Sequence, residues 1–70
     1  MEYLIVHCPQ KRSVMVDGVR HGETEDPIEL EAGTYTITLE PADGSQPAQH
    51  QVVLLSTTLI SPCEVSFALV

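Results

Sequence analysis

PIELEAGTYTITLE, residues 27–40, is the stretch whose reading decides the fold. Ile28 and Leu30 alternate with Glu29 and Glu31, and Ala32-Gly33 turns the chain. Tyr35, Ile37 and Leu39 then alternate without exception against Thr34, Thr36, Thr38 and Glu40. A period of two sends successive side chains to opposite faces of a strand, so two amphipathic strands are expected with their apolar residues turned inward. Threonine on the outward face is ordinary for a sheet exposed to water.

The segments on either side carry the same signal. Upstream, Ser13 to Val16 runs into Asp17-Gly18 and then Val19-Arg20-His21. Asp-Gly accepts the positive φ angles of a two-residue hairpin turn, so a tight hairpin is expected with Val14 and Val16 facing the core and Met15 facing out. Arg20 is expected near exposed carboxylates, and the polar stretch Gly22 to Asp26 reads as a loop. Tyr3 to Cys8 is a short apolar run ended by Pro9, the expected first strand. Leu4, Val6 and Cys8 lie on one face and Tyr3, Ile5 and His7 on the other. Both sets are largely apolar, so cover on both sides is expected, one of them from a partner chain.

Downstream, Pro41 to Pro47 reads as a loop around Asp43-Gly44, and Gln49 to Leu55 as a further strand. The unbroken run Val52-Val53-Leu54-Leu55 suits a central position in a sheet. A brief strand is expected within Thr57 to Ile60. Glu64 to Val70 alternates again, with Val65, Phe67 and Leu69 inward. No segment shows apolar residues at helical spacing over a helix's usual length. The expectation is one all-β domain over residues 1–70, a compact antiparallel β-sandwich of six to seven short strands.

Composition narrows the function classes. The chain has 70 residues, ten carboxylates against three Lys and Arg, and a formal net charge of -7. Such a field repels phosphate backbones and anionic lipid, so neither nucleic acid nor membrane is expected as a partner. No apolar run approaches a bilayer's thickness, and Glu2 followed by a run ending at His7 does not resemble a secretory signal, which points to the cytoplasm. A chain this short has a thin core and gains stability from disulfides, metals or association. Cys8 and Cys63 leave two readings open, a bridge closing a large loop or two buried thiols acting as small hydrophobes, and the second is favoured in a reducing compartment.

Ser13 to Glu40 resembles the PEGA domain. The shared pattern is a strand ending in Val16-Asp17-Gly18, then Gly22 and Thr24, then Pro27 and an apolar residue, then Leu30-Glu31-Ala32-Gly33, then the strand Tyr35-Thr36-Ile37-Thr38-Leu39. The chain departs from that pattern in having Glu25-Asp26 between Thr24 and Pro27 and in lacking the Gly-aromatic pair that typically follows the later strand. The resemblance implies a small β-sandwich used as an appended or surface-exposed interaction module, with no catalytic residues to carry over.

Cys8 with His50, or Cys63 with His7, has the atoms of a nucleophile and base, but a thin sandwich offers little concavity, so no catalytic site and no enzyme is expected. His7, Cys8, His21, His50 and Cys63 contain metal-ligand atoms without a close-spaced pair on one face, so no metal or cofactor is expected. Glu23, Glu25 and Asp26 form the alternative cation-binding group, and a carbohydrate site is the other alternative, weakened by the scarcity of aromatic residues. The leading expectation is a non-catalytic interaction or structural module that binds a protein partner or itself, as a homo-oligomer. Its edge strands are expected to pair through Tyr3 and Ile5 at the start of the chain and Val65, Phe67 and Leu69 at its end.

Overall fold

The computed structural model describes all residues, Met1 to Val70, and contains nine strands and no helix. In chain order they are β1 (Glu2–His7), β2 (Ser13–Val16), β3 (Val19–Glu23), β4 (Ile28–Leu30), β5 (Gly33–Glu40), β6 (Ser45–Gln46), β7 (His50–Leu54), β8 (Cys63–Ser66) and β9 (Ala68–Leu69). One sheet has the order β4-β1-β8, a second the order β3-β2-β5-β7, and β6 and β9 form a two-stranded ribbon. The all-β class stands. Seven strands have three residues or more, and the two shortest are additional to the expected six to seven. One pair departs from the antiparallel expectation: β1 runs parallel to β8, with Leu4 opposite Cys63 and His7 opposite Ser66.

The hairpin turn forms as its residues require, with Asp17 at φ 49° and Gly18 at φ 84°. Asp17 then ties the turn to β5. Its backbone N–H donates to Thr36 O at 2.9 Å and its Oδ1 accepts from Thr36 N at 2.8 Å. Leu4, Val6, Val14, Val16, Ile28, Leu30, Ile37, Leu39, Val52, Leu54 and Phe67 are buried as one cluster between the two sheets. Half-buried Tyr35 packs against this cluster, and its hydroxyl donates to Glu31 O at 2.7 Å.

β1 lies in the centre of its sheet. That position explains its two-sided apolar pattern, because Leu4 and Val6 are fully buried while Tyr3 and Ile5 remain half-buried on the outer face. It also corrects one expectation: both edges of β1 are already paired, so β1 is not an edge strand. The polar stretch after His21 is partly strand, since β3 continues to Glu23. Thr24 follows it into the interior at 1% exposure. The N–H of Thr24 donates to Arg12 O at 2.9 Å, and its Oγ1 accepts from Arg12 N at 3.0 Å. Thr24→Val keeps the shape but leaves that Arg12 N–H unpaired, and urea unfolding is expected to show a loss of about 1–3 kcal/mol. A loss below about 0.5 kcal/mol would show that water replaces the hydroxyl.

The second half differs most from expectation. β7 is an edge strand, not a central one. Residues 57–60 form no strand: Thr58 N donates to Ser61 O at 3.1 Å and Ser61 N to Thr58 Oγ1 at 2.9 Å, which closes a turn instead. The last strand is broken at Phe67, whose N–H still donates to His7 O at 2.8 Å before the chain leaves β1 and pairs with β6. Gly44 allows that ribbon to close. It has φ 75°, and a Cβ there would meet Val70 O at 2.7 Å, so Gly44→Ala is expected to detach the last residues from the body. Faster amide exchange at Val70 is the readout; protection equal to the parent's would show that the ribbon tolerates a side chain.

Candidate interaction edge

The two main sheets present four lateral edges, β3, β4, β7 and β8. Three of them carry charge: Arg20 and Glu23 in β3, Glu29 in β4 and Glu64 in β8. β4 and β8 are also short, and the β2–β3 pairing shifts register between Val14 and Met15. Charge, shortness and register breaks are the usual means by which a sheet edge is kept from pairing with another chain. β7 has none of them, and its residues His50-Gln51-Val52-Val53-Leu54 contain no Asp, Glu, Lys, Arg or Pro.

The backbone groups of β7 can be assigned to sides. Thr36 directs both its N–H and its C=O to Asp17, toward β2, so the alternating neighbours Tyr35, Ile37 and Gly33 direct theirs toward β7. These residues stand opposite Val52, His50 and Leu54 respectively. The intervening Gln51 and Val53 therefore turn their N–H and C=O away from β5, to the open side, where no residue of the chain is hydrogen-bonded to them.

Exposed apolar side chains occur on this edge strand and in the residues that follow it. Val53 is 67% exposed and Leu55 69%, and the turn that follows carries Leu59 and Ile60, the latter 95% exposed. Glu2 anchors that turn: its Oε1 accepts from both the N–H and the hydroxyl of Thr57, while Thr57 Oγ1 accepts from Tyr3 N. The Thr57 backbone N–H, and secondarily its hydroxyl, holds the Glu2 carboxyl below its usual range. From Gly44 to Cys63 there is no Asp, Glu, Lys or Arg at all. The ten carboxylates all lie outside that segment.

The residues expected to form the interface are dispersed. Tyr3 and Ile5 lie half-buried on the outer face of β1, opposite Glu29 and Glu64 respectively. Val65 is half-buried and packs on the core, Leu69 sits in the β6–β9 ribbon, and Phe67 is only 3% exposed. Phe67 is a core residue and leaves the set: its ring packs edge-on against His50 with centroids 4.8 Å apart.

Glu23, Glu25 and Asp26 do not converge on one point either. Glu23 Oε1 lies 3.5 Å from Lys11 Nζ, and Glu25 turns to His7. No three His, Cys, Asp or Glu side chains are placed to hold a metal ion. Cys8 and Cys63 are free and half-buried, and burial raises the Cys63 thiol pKa. Arg20 pairs with no carboxylate; its Nε donates to Ser13 Oγ at 3.2 Å.

One cluster was not anticipated. His7 Nδ1 lies 2.8 Å from Glu25 Oε1 and His7 Nε2 lies 2.8 Å from Glu64 Oε1, a clasp joining β1, the β3–β4 turn and β8. Glu25 Oε2 also accepts from Cys8 N at 3.1 Å. A neutral imidazole has a single N–H, so both contacts are hydrogen bonds only when the ring is protonated. His50 plays a different part: its Nε2 donates to Ser66 O at 2.7 Å, linking β7 to β8 across the sandwich.

Fold and edge together define a class, a small two-layer β-sandwich with one unblocked, uncharged edge. No family model, no curated protein and no solved structure matches the chain.

Proposed function

We propose that the chain is a non-catalytic interaction or structural module that joins proteins by strand addition at β7. The observation that carries this reading is the contrast among edges: three are charged, and β7 alone combines unpaired backbone groups, exposed Val53 and Leu55 and no charge. Strand addition takes its affinity from main-chain hydrogen bonds and its specificity from alternate side chains, and β7 offers both. The PEGA resemblance of Ser13 to Glu40 points the same way, toward an appended module that binds. This reading moves the edge from Tyr3, Ile5 and the last strand to residues 51–55.

Molar mass by light scattering across a concentration series, combined with amide exchange, tests it. Association with slowed exchange at Gln51 and Val53 supports strand addition. A chain that stays monomeric and shows no slowing there with any protein ligand would sink it.

A further inference from the structure

Resting on that reading, we infer that the occupant of the β7 edge is a second copy of this chain, paired antiparallel about a two-fold axis at Val53.

Three observations select the partner and the register. The first is charge. A copy of net charge -7 is a poor partner for most of this surface, but the segment Gly44 to Cys63 carries no Asp, Glu, Lys or Arg and includes the whole of β7 and the turn after it. Two such segments bring no charged side chain of their own to the contact, and the carboxylate that reaches this turn, Glu2, is held by the N–H and hydroxyl of Thr57.

The second is backbone phase. Only alternate residues of an antiparallel strand exchange hydrogen bonds with a given neighbour, and on the open side of β7 these are Gln51 and Val53, with Leu55 next in phase. A two-fold axis must therefore bring residues of that set opposite one another. A one-residue slip sets the open-side groups against groups already bonded to β5 and turns the buried face of one copy onto the outer face of the other.

The third is side-chain matching. An axis at Val53 places this 67% exposed valine opposite its own counterpart and Gln51 opposite Leu55 of the second copy. Leu59 and Ile60 are exposed in the turn that follows, which is anchored through Thr57 to Glu2. The product is one continuous sheet with the order β3-β2-β5-β7 followed by its two-fold copy.

The test uses the full chain with Cys8→Ser and Cys63→Ser, adding Val53→Cys to form the cross-link. Opposed Cα atoms of a hydrogen-bonded antiparallel pair lie about 5.5 Å apart, within the range a disulfide spans. Air oxidation is expected to convert the V53C chain largely to a covalent dimer, while Thr34→Cys in the same background, exposed on the same face but one strand inward, stays largely uncross-linked. Val53→Lys in the natural chain is expected to weaken association at least tenfold by light scattering, with an unchanged circular dichroism spectrum. A dimer that persists undiminished in Val53→Lys, or cross-links no faster at Val53 than at Thr34, overturns the register while leaving self-association intact. A natural chain that stays monomeric yet adds a strand from another protein at Gln51 and Val53 overturns the second copy as occupant, while the strand-addition reading stands.

Discussion

Leu4→Ala is expected to abolish the cooperative thermal transition. Leu4 is fully buried in the central strand β1, opposite Ile28 on one side and Cys63 on the other. Truncating a buried leucine to alanine costs about 2–5 kcal/mol through lost transfer energy and the cavity left behind. A single core in a domain of this size rarely supplies more than about 3–5 kcal/mol in total, so the substitution consumes most of what there is. A sloping, non-cooperative circular dichroism melt is the expected readout, with Glu31→Gln on the exposed surface as the unaffected control. A sharp transition displaced by less than about 1 kcal/mol would show that the core is not organised around β1.

Raising the pH above neutrality is expected to lower the melting temperature through His7. The hydrogen bond that the ring donates to Glu64, followed by the one it donates to Glu25, raises the His7 pKa above the ordinary 6.5. The protonated clasp is therefore at full strength below that value, and its stabilisation is lost as pH rises through the raised one. Glu25 behaves in the opposite sense. His7 first, and the Cys8 N–H second, lower its pKa from the ordinary 4.5, so its contribution is complete above that value and disappears as pH falls through the lowered one. The groups facing the ring are Glu25 from the β3–β4 turn and Glu64 from β8. Lys11 is engaged by Glu23. Stability from the clasp is thus greatest between about pH 4.5 and 6.5.

His7→Gln is expected to flatten the alkaline decline, because glutamine does not ionise. If His7→Gln declines as steeply as the parent, the clasp contributes nothing measurable to the decline. Ring nitrogen resonances give an independent reading, with both nitrogens of His7 protonated at pH 6.

The first half of the molecule is legible from residue types because its information is local. The Asp17-Gly18 turn needs only its own φ angles, and the alternation from Ile28 to Leu39 assigns the inward faces without reference to any partner. The centrality of β1 was half legible: its two apolar faces pointed to double cover, but nothing local says that the neighbours are β4 and β8. The apolar run Val52 to Leu55 misled for a physical reason. Periodicity cannot separate a strand buried on two faces from an edge strand that leaves Val53 and Leu55 in water. The uncharged segment from Gly44 to Cys63 carries the further information, to which the proposed strand addition gives a role in association rather than in the folding of one chain.

The His7 clasp was not legible, because it joins residues 18 and 57 positions apart. The same holds for Arg12, whose Nη1 donates to the carbonyl oxygens of Pro41 and Asp43 and so fixes the loop before β6. Sequence spacing carries no trace of either contact. Thr24 falls in a turn pattern by sequence, whereas its structural role is to satisfy the Arg12 backbone from inside the core.

The parallel register of β1 with β8 constrains the order in which the molecule can be completed. Leu4 to His7 leave a ribosome well before their parallel neighbours Cys63 to Ser66. The strand at the middle of its sheet is consequently made well before it can be flanked on both sides. Pairings of such long sequence separation close slowly, because the intervening chain must be ordered before the contact rewards it. During that interval the nascent chain exposes the apolar run from Tyr3 to Val6 along an unpaired side, so until Cys63 to Ser66 arrive the body carries an unfinished seam.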